Sequence, residues 1–178
     1  MEIVDCGAHP IYIHAKTLNK IFGTVMTADE SLEEAKQNLV EEFEFLGEWM
    51  QRYEYIIELG RKLAGLPQDM QVDSHLVPGC QSRVWFYARR DGDRLYFNAD
   101  SDALIVRGLV ALLLRIYSGR TPEEIINTPP DFFEVLELGS HLSGSRANGL
   151  HAMVLRIRAY AEAFETAPDS SKRRQAES

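Results

Sequence analysis

The sequence contains very little cysteine, with only Cys6 and Cys80 in 178 residues. Two cysteines cannot build a disulfide framework, and they cannot supply the three or four thiolates that an iron–sulfur cluster or a structural zinc site normally takes. We therefore expect no metal site on this chain. The same scarcity favours a reducing compartment, so we expect a cytoplasmic protein.

Long apolar runs and an excess of positive charge are also missing. The longest apolar run, Leu109–Leu114, is much shorter than the roughly 20 residues of a membrane-spanning helix. A net charge of −8 disfavours binding to nucleic acid or to an anionic membrane surface. The start of the chain, Met1–Asp5, carries acid where the basic region of a signal peptide belongs.

The part of the sequence that contains strand signals is short. A strand from Ser82 to Arg90, a turn at Asp91-Gly92 and a second strand from Arg94 to Ala99 predict a β-hairpin. A further strand leading into Cys80 is expected, because a hairpin alone is only marginally stable. Trp85 is predicted to be a packing residue of this hairpin.

Helical patterns surround the strands. A capping box at Ser31 begins a first amphipathic helix that continues or restarts up to residues 65–67. Later helices are predicted over residues 102–117, 121–127, 131–138 and 145–164, with a loop at 139–144. The 102–117 helix is apolar almost all round and should lie in the core. This order predicts an α+β domain with a small antiparallel sheet of about three strands packed by helices.

Cys80 lies at a turn that opens a strand. The preceding Pro78-Gly79 pair breaks regular structure, and a turn can present a thiol to a partner. Arg83 could favour the reactive thiolate. From the residues alone, two interpretations stay open: a structural cysteine in a non-catalytic adaptor, and a Cys-His thiol enzyme using His75 or His141 as base.

Four segments together carry a family resemblance. They are, in chain order, Tyr53-x-Tyr55-Ile56-Ile57-Glu58-Leu59-Gly60, Gly79-Cys80-Gln81-Ser82-x-Val84-Trp85, Asp100-Ser101-Asp102-Ala103-x-Ile105-x-x-Gly108-Leu109 and His141-Leu142-x-x-Ser145-Arg146-x-x-Gly149-Leu150. In order and spacing these segments resemble the SufE family, the sulfur-acceptor partners of cysteine desulfurases. The resemblance divides the chain into an N-terminal extension of unknown role (1–28), a SufE-like sulfur-acceptor domain (29–165) and a polar tail (166–178) that we expect to be disordered.

The resemblance implies a SufE/IscU-like fold and a role in iron–sulfur cluster assembly. Cys80 would take persulfide sulfur from a SufS-type cysteine desulfurase, stimulate that enzyme and pass the sulfur to a SufBCD-type scaffold. The chain would then be an accessory protein that activates the desulfurase rather than a stand-alone enzyme. No cofactor is expected on it, because the pyridoxal phosphate belongs to the desulfurase. Cys80 would rest in a shielded loop pocket when no partner is bound.

Besides Cys80, five residues that match the family pattern are candidate site residues. Glu134, His141 and Arg146 are the candidate supporting groups near the cysteine loop. Arg146 would either stabilise a thiolate or persulfide anion or pair with Glu134 and fix the C-terminal helix. Asp100 or Ser101 is predicted to cap the helix over residues 102–117. Asp100 and Asp102 are expected to be caps and partner-facing groups rather than acids or bases.

Overall fold

The computed structural model describes residues 2–4, 11–13 and 30–166 of the chain. It divides into two compact units, Met1–Ser31 and Leu32–Ser178. In the first unit, strands β1 (Glu2–Val4) and β2 (Ile11–Ile13) pair antiparallel, with Ile3 opposite Tyr12. Cys6 and residues 167–178 of the predicted tail lie outside the described residues.

The second unit begins with two helices rather than one. Helix α1 (Leu32–Leu46) and helix α2 (Trp49–Lys62) are separated at Gly47. Gly47 adopts a φ of 63°, a left-handed conformation that glycine takes readily and that commonly ends a helix. The long helical pattern therefore restarts, which was one of the two outcomes left open. Two short 3₁₀ turns, Gln68–Met70 and Asp73–His75, lie between α2 and the hairpin.

A β-hairpin follows, formed by β3 (Val84–Asp91) and β4 (Arg94–Ser101). Val84 pairs with Ser101 at its open end, and the turn consists of Gly92 and Asp93. The predicted third strand is reduced to one bridge, Leu76 to Trp85. Among the described residues of the second unit, the sheet therefore has two strands. Helices rather than more strands cover it, and Trp85 is buried as a packing residue.

Helix α3 (Leu104–Tyr117) is the core helix that the apolar pattern predicted. Most of its residues are buried, and those without any exposed surface are Leu109, Val110, Leu112, Leu113, Ile116 and Tyr117. The helix starts later than expected. Its N-cap is Ala103, with no side-chain cap, because Asp100 and Ser101 are still part of β4. The prediction that Asp100 or Ser101 caps this helix is therefore wrong.

Shorter helices complete the unit. Their bounds are α4 Pro122–Asn127, α5 Phe132–Val135, α6 Leu138–His141 and α7 Gly144–Thr166. The capping box at the start of α4 is present, since Thr121 and Glu124 exchange side-chain-to-backbone hydrogen bonds of 3.2 and 2.8 Å. Half of the loop predicted at 139–144 lies in the helical turn α6, and its last residue begins α7. In the part of the chain that the structure describes, no helix is long and apolar enough to cross a membrane.

Helices α2 and α3 cross with their backbones in close contact. A Cβ placed on Gly60 would lie 2.5 Å from the carbonyl oxygen of Leu104, and one on Gly108 would collide with the carbonyl oxygen of Ile56. Real Cβ atoms do not come that close to such atoms. Glycine is therefore required on both sides of this crossing for steric reasons, although glycine within a helix is itself destabilising.

We predict that Gly108→Ala destabilises the protein by about 2 kcal/mol. Overpacking at a tight contact costs about 3 kcal/mol, and the better helix propensity of alanine offsets about 1 kcal/mol. The matched control is Gly139→Ala in α6, where an added Cβ has no neighbour within 4 Å. Urea unfolding of both variants measures the difference. Equal unfolding free energies for the two variants would show that the crossing is not tight.

Candidate functional site

Cys80 lies in a short loop, residues 78–82, that we call the cysteine loop. The chain is paired on both sides of this loop, because the backbone N–H of Val77 donates to the carbonyl of Val84 at 2.8 Å. Gly79 within it has a φ of 88°, which a residue with a side chain rarely adopts. The loop therefore leaves and rejoins the edge of the hairpin between two hydrogen-bonded residues, with Cys80 at its centre.

The end of β4 holds the residue at which the cysteine loop rejoins the hairpin. The backbone N–H of Arg83 donates to Asp102 Oδ1 at 3.0 Å, and the N–H of Asp102 donates to the carbonyl of Arg83 at 3.2 Å. Ser101 Oγ donates to the same carbonyl at 2.9 Å. We call the reciprocal pair the Arg83–Asp102 clamp. Sequence reasoning missed it, although Asp102 stands in one family motif and Arg83 occupies the unspecified position of another.

The cysteine loop packs against helix α7. The thiol of Cys80 donates to the carbonyl oxygen of Gly149 at 3.6 Å. A Cβ on Gly149 would lie 3.6 Å from the Cys80 sulfur, and one on Gly79 would lie 3.7 Å from the Cβ of Ala152. Gly149 was not predicted as a site residue. Its signal was available, since a glycine in the body of a helix costs stability and commonly has a packing reason.

A cavity of about 310 Å³ opens beside the sulfur. The lining residues are Cys80, Gln81, Ser82, Ala103, Ile105, Val106, Leu109, Ser145, Arg146, Gly149 and Met153. One wall is apolar and comes from α3 and α7, and the other is polar and comes from the cysteine loop and the start of α7. Cys80 itself is half-buried. The shielded loop pocket expected from the sequence is present, with Cys80 at its edge.

The resting state of Cys80 is the neutral thiol. Burial raises the pKa of the Cys80 thiol above its ordinary value, because an apolar environment disfavours the charged thiolate. Donation of the S–H to the Gly149 carbonyl also requires the proton to be present. In this conformation the sulfur is therefore protected and weakly nucleophilic.

Among the residues that line the cavity, Arg146 is the one with a charged side chain. It is half-buried, and no carboxylate within residues 30–166 lies at ion-pair distance from it. The alternative role considered for it, a structural pair with Glu134, is therefore wrong for this conformation. Glu134 is exposed on α5 and is not part of the lining.

The two candidate base residues lie elsewhere. His141 is exposed and stacks on Trp49, with ring centroids 4.1 Å apart and an angle of 18°. The Nδ1 of His75 is hydrogen-bonded to the carbonyl of Met70 at 2.7 Å, and its ring packs 5.4 Å from that of Tyr87. Neither ring lines the cavity. The geometry therefore gives no support to a Cys-His pair.

Arg83, expected to favour the thiolate, and Asp100, expected to face a partner, make structural contacts instead. The guanidinium of Arg83 lies 4.0 Å from Asp73 and 4.9 Å from the ring of Trp85, away from the cavity lining. Asp100 is only 7% exposed. The prediction that Asp100 faces a partner is therefore corrected, whereas Asp102 is exposed and its contact with a partner stays a prediction.

The carboxylate of Asp100 fastens the end of α2 to the rest of the unit. It accepts hydrogen bonds from the backbone N–H of Leu66 and from Gln71 Nε2, each at 3.2 Å, and pairs with Arg107 at 3.3 Å. Such a buried carboxylate is stable only because it is fully paired. Within residues 30–166, no three His, Cys, Asp or Glu side chains lie close enough together to hold a metal ion.

Comparison with known proteins identifies a family whose model matches most of this chain. The family model described as SufE, the Fe–S metabolism associated domain, matches residues 37–161. A SufE-like protein of Rhizobium meliloti (strain 1021), described as uncharacterized, is 43% identical over 129 residues, or 70% of this chain and 92% of that protein. An uncharacterized SufE-like protein of Rhizobium etli is 42% identical over 125 residues, or 67% of this chain and 84% of that protein.

A solved structure shares the fold. The solution structure of a hypothetical protein from Thermus thermophilus superposes with a TM-score of 0.63 and covers 75% of this chain and 97% of its own. At 23% sequence identity this similarity concerns the fold alone.

We predict that the rate of Cys80 alkylation by iodoacetamide has its pH midpoint above about 8.5, the pKa of an unperturbed cysteine. Only the thiolate reacts, and burial raises the pKa of Cys80, so the rate should be low at neutral pH and rise on the alkaline side. The measurement uses Cys6→Ser protein, so that one thiol is followed. The same protein in urea should return to the ordinary midpoint, whereas a native midpoint at or below that value contradicts the prediction.

We predict that Asp102→Ala frees the cysteine loop. The substitution removes the side-chain half of the Arg83–Asp102 clamp, so hydrogen exchange at the Arg83 amide and alkylation of Cys80 should both accelerate, by roughly five-fold for the loss of about 1 kcal/mol. Asp102→Asn is the matched control, because its amide oxygen can still accept the Arg83 N–H. If Asn and Ala had the same effect, charge rather than the clamp would control the loop.

Proposed function

The chain belongs to the SufE family, a family associated with Fe–S metabolism, and we propose that within this role Cys80 is the sulfur acceptor for a SufS-type cysteine desulfurase. The Cys80 thiolate attacks the outer sulfur of the persulfide held on the desulfurase. The S–S bond of that persulfide breaks, the desulfurase cysteine leaves as a thiolate, and a persulfide forms on Cys80. This is thiol–disulfide exchange chemistry and needs no oxidant.

The observation that carries this proposal is the position of Cys80 on a closed loop beside a cavity. The cysteine loop is fixed at both ends by backbone hydrogen bonds, while its centre is held on α7 by one long thiol contact. Such a loop can leave α7 and return without disturbing the hairpin. In the returned position, the cavity would shield a persulfide from reductants and from further oxidation.

Docking would activate the thiol through the same movement. When the loop leaves α7, Cys80 loses both its burial and its bond to the Gly149 carbonyl, and these favour the neutral thiol. The pKa of Cys80 then falls toward the ordinary value, and more of the reactive thiolate forms. A carrier built in this way is unreactive in solution and reactive on its partner.

The remaining steps follow from the acceptor role. Removing sulfur from the desulfurase frees its cysteine for another turnover, which accounts for stimulation of that enzyme. The loaded carrier then gives its sulfur to a SufBCD-type scaffold. This chain needs no cofactor of its own, because the pyridoxal phosphate belongs to the desulfurase. A reducing cytoplasm, in which the desulfurase partner would operate, suits a carrier with a free thiol.

We predict that Cys80→Ser abolishes both the accepted sulfur and the stimulation of the desulfurase. A hydroxyl cannot hold sulfur as a persulfide, and the change of one atom leaves the docking surface in place. Intact-protein mass after incubation with the desulfurase and cysteine reports the added sulfur, and sulfide release reports stimulation. A pull-down of the variant should still recover the desulfurase.

Cys6→Ser is the control for this prediction and should behave like the unchanged protein. Full stimulation by Cys80→Ser would overturn the acceptor role and favour a non-catalytic adaptor. Hydrolytic turnover by the protein without any desulfurase would favour a Cys-His thiol enzyme instead.

A further inference from the structure

The cavity beside Cys80 is larger than a persulfide requires. Its volume is about 310 Å³, whereas one water molecule takes about 30 Å³ of liquid. A persulfide adds a single sulfur atom to the Cys80 side chain. Most of the cavity would therefore stay open after Cys80 is loaded, with room for a small molecule next to the outer sulfur.

The charge in the cavity is positive, against the net charge of −8 of the chain. Arg146 lines the cavity and has no ion-pair partner among residues 30–166. The first turn of the 23-residue helix α7 lines it as well, through Ser145. The start of a long helix carries partial positive charge that adds to that of the arginine. No acidic side chain is among the lining residues that the structure describes.

We propose that this cavity binds a small carboxylate-bearing thiol next to Cys80, with Arg146 holding its carboxylate, and that Cys80 exchanges sulfur directly with such thiols. The exchange rests on the proposed function, because it starts from the Cys80 persulfide. The anion subsite does not depend on it, since it follows from the cavity and from the unpaired arginine.

The exchange balances without another reactant. The thiolate of the small molecule attacks the outer sulfur of the Cys80 persulfide, and a new S–S bond forms between them. The bond between the outer sulfur and Cys80 Sγ breaks, and Cys80 leaves as a thiolate that takes a proton from solvent. The small molecule departs as a persulfide. The reverse reaction loads Cys80, and neither direction needs an oxidant or a reductant.

The anion subsite is tested by alkylation of Cys80 in Cys6→Ser protein with two reagents of nearly the same size. Iodoacetate carries a carboxylate and iodoacetamide a neutral amide, so the ratio of their rates reports the charge preference of the cavity. We expect Arg146→Gln to lower this ratio roughly three-fold, as for loss of a part-exposed ion pair. Arg146→Lys should keep most of the preference, because it keeps the charge.

Arg83→Gln is the matched control, since Arg83 is close to Cys80 in sequence but is not part of the lining. Its rate ratio should stay unchanged. The rate with iodoacetamide alone reports folding, because a loosened site raises both rates together. An unchanged ratio in Arg146→Gln, or an equal fall in Arg83→Gln, would overturn the anion subsite.

The exchange itself is tested on protein loaded chemically with inorganic polysulfide, so that no desulfurase is involved. Loss of one sulfur from Cys80 is followed by intact mass with 3-mercaptopropionate and with 3-mercaptopropionamide, at equal thiolate concentrations. The carboxylate should react faster, and Arg146→Gln should remove the difference. Equal rates in the unchanged protein would overturn direct exchange. Failure of Cys80 to load from the desulfurase would instead overturn the proposed function, so the two failures are distinguishable.

Discussion

The close crossing of helices α2 and α3 at Gly60 and Gly108 determines where the cysteine is held. Because neither glycine has a side chain, the two backbones touch, and Arg107 on α3 can donate to the carbonyls of Gly60 and Leu63 at the end of α2, at 3.1 and 2.6 Å. The same guanidinium pairs with Asp100. A side chain at the crossing would separate the helices and break this set of contacts.

From Asp100, the contacts continue along β4 to Arg83 at the end of the cysteine loop. Asp100 is followed in β4 by Ser101 and then by Asp102, which together hold the backbone of Arg83. Arg83 is three residues from Cys80. The end of the cysteine loop is thus fixed from the core outward, through the hairpin end, while Cys80 itself has only a long hydrogen bond to α7. A region with few strong contacts opens at low free energy, so the structure restrains the ends of the loop and leaves its centre free to move.

The sequence predicted those parts of this arrangement that depend on local signals. The helix over residues 121–127, the apolar α3 and the hairpin follow from short-range patterns, and each is present. The predictions of a third strand and of a loop at 139–144 were wrong. Strand pairing beyond Leu76 and the helical turn at Leu138–His141 both depend on the elements that pack around them. The burial of Asp100 and the Arg83–Asp102 clamp were missed for the same reason: nothing near them in sequence indicates partners that lie 18 or more residues away.

Protection and reactivity place opposite demands on Cys80, and the site meets them in different states. The empty thiol is kept neutral by burial, and Arg146 is not among the causes of its pKa shift. On the proposed function, a persulfide on Cys80 would differ, because its outer sulfur is more acidic than the thiol. Placed in the cavity, its negative charge would approach Arg146 and the positive end of α7, both of which line the cavity. In that role, Arg146 would have little to act on before loading and a charge to stabilise after it.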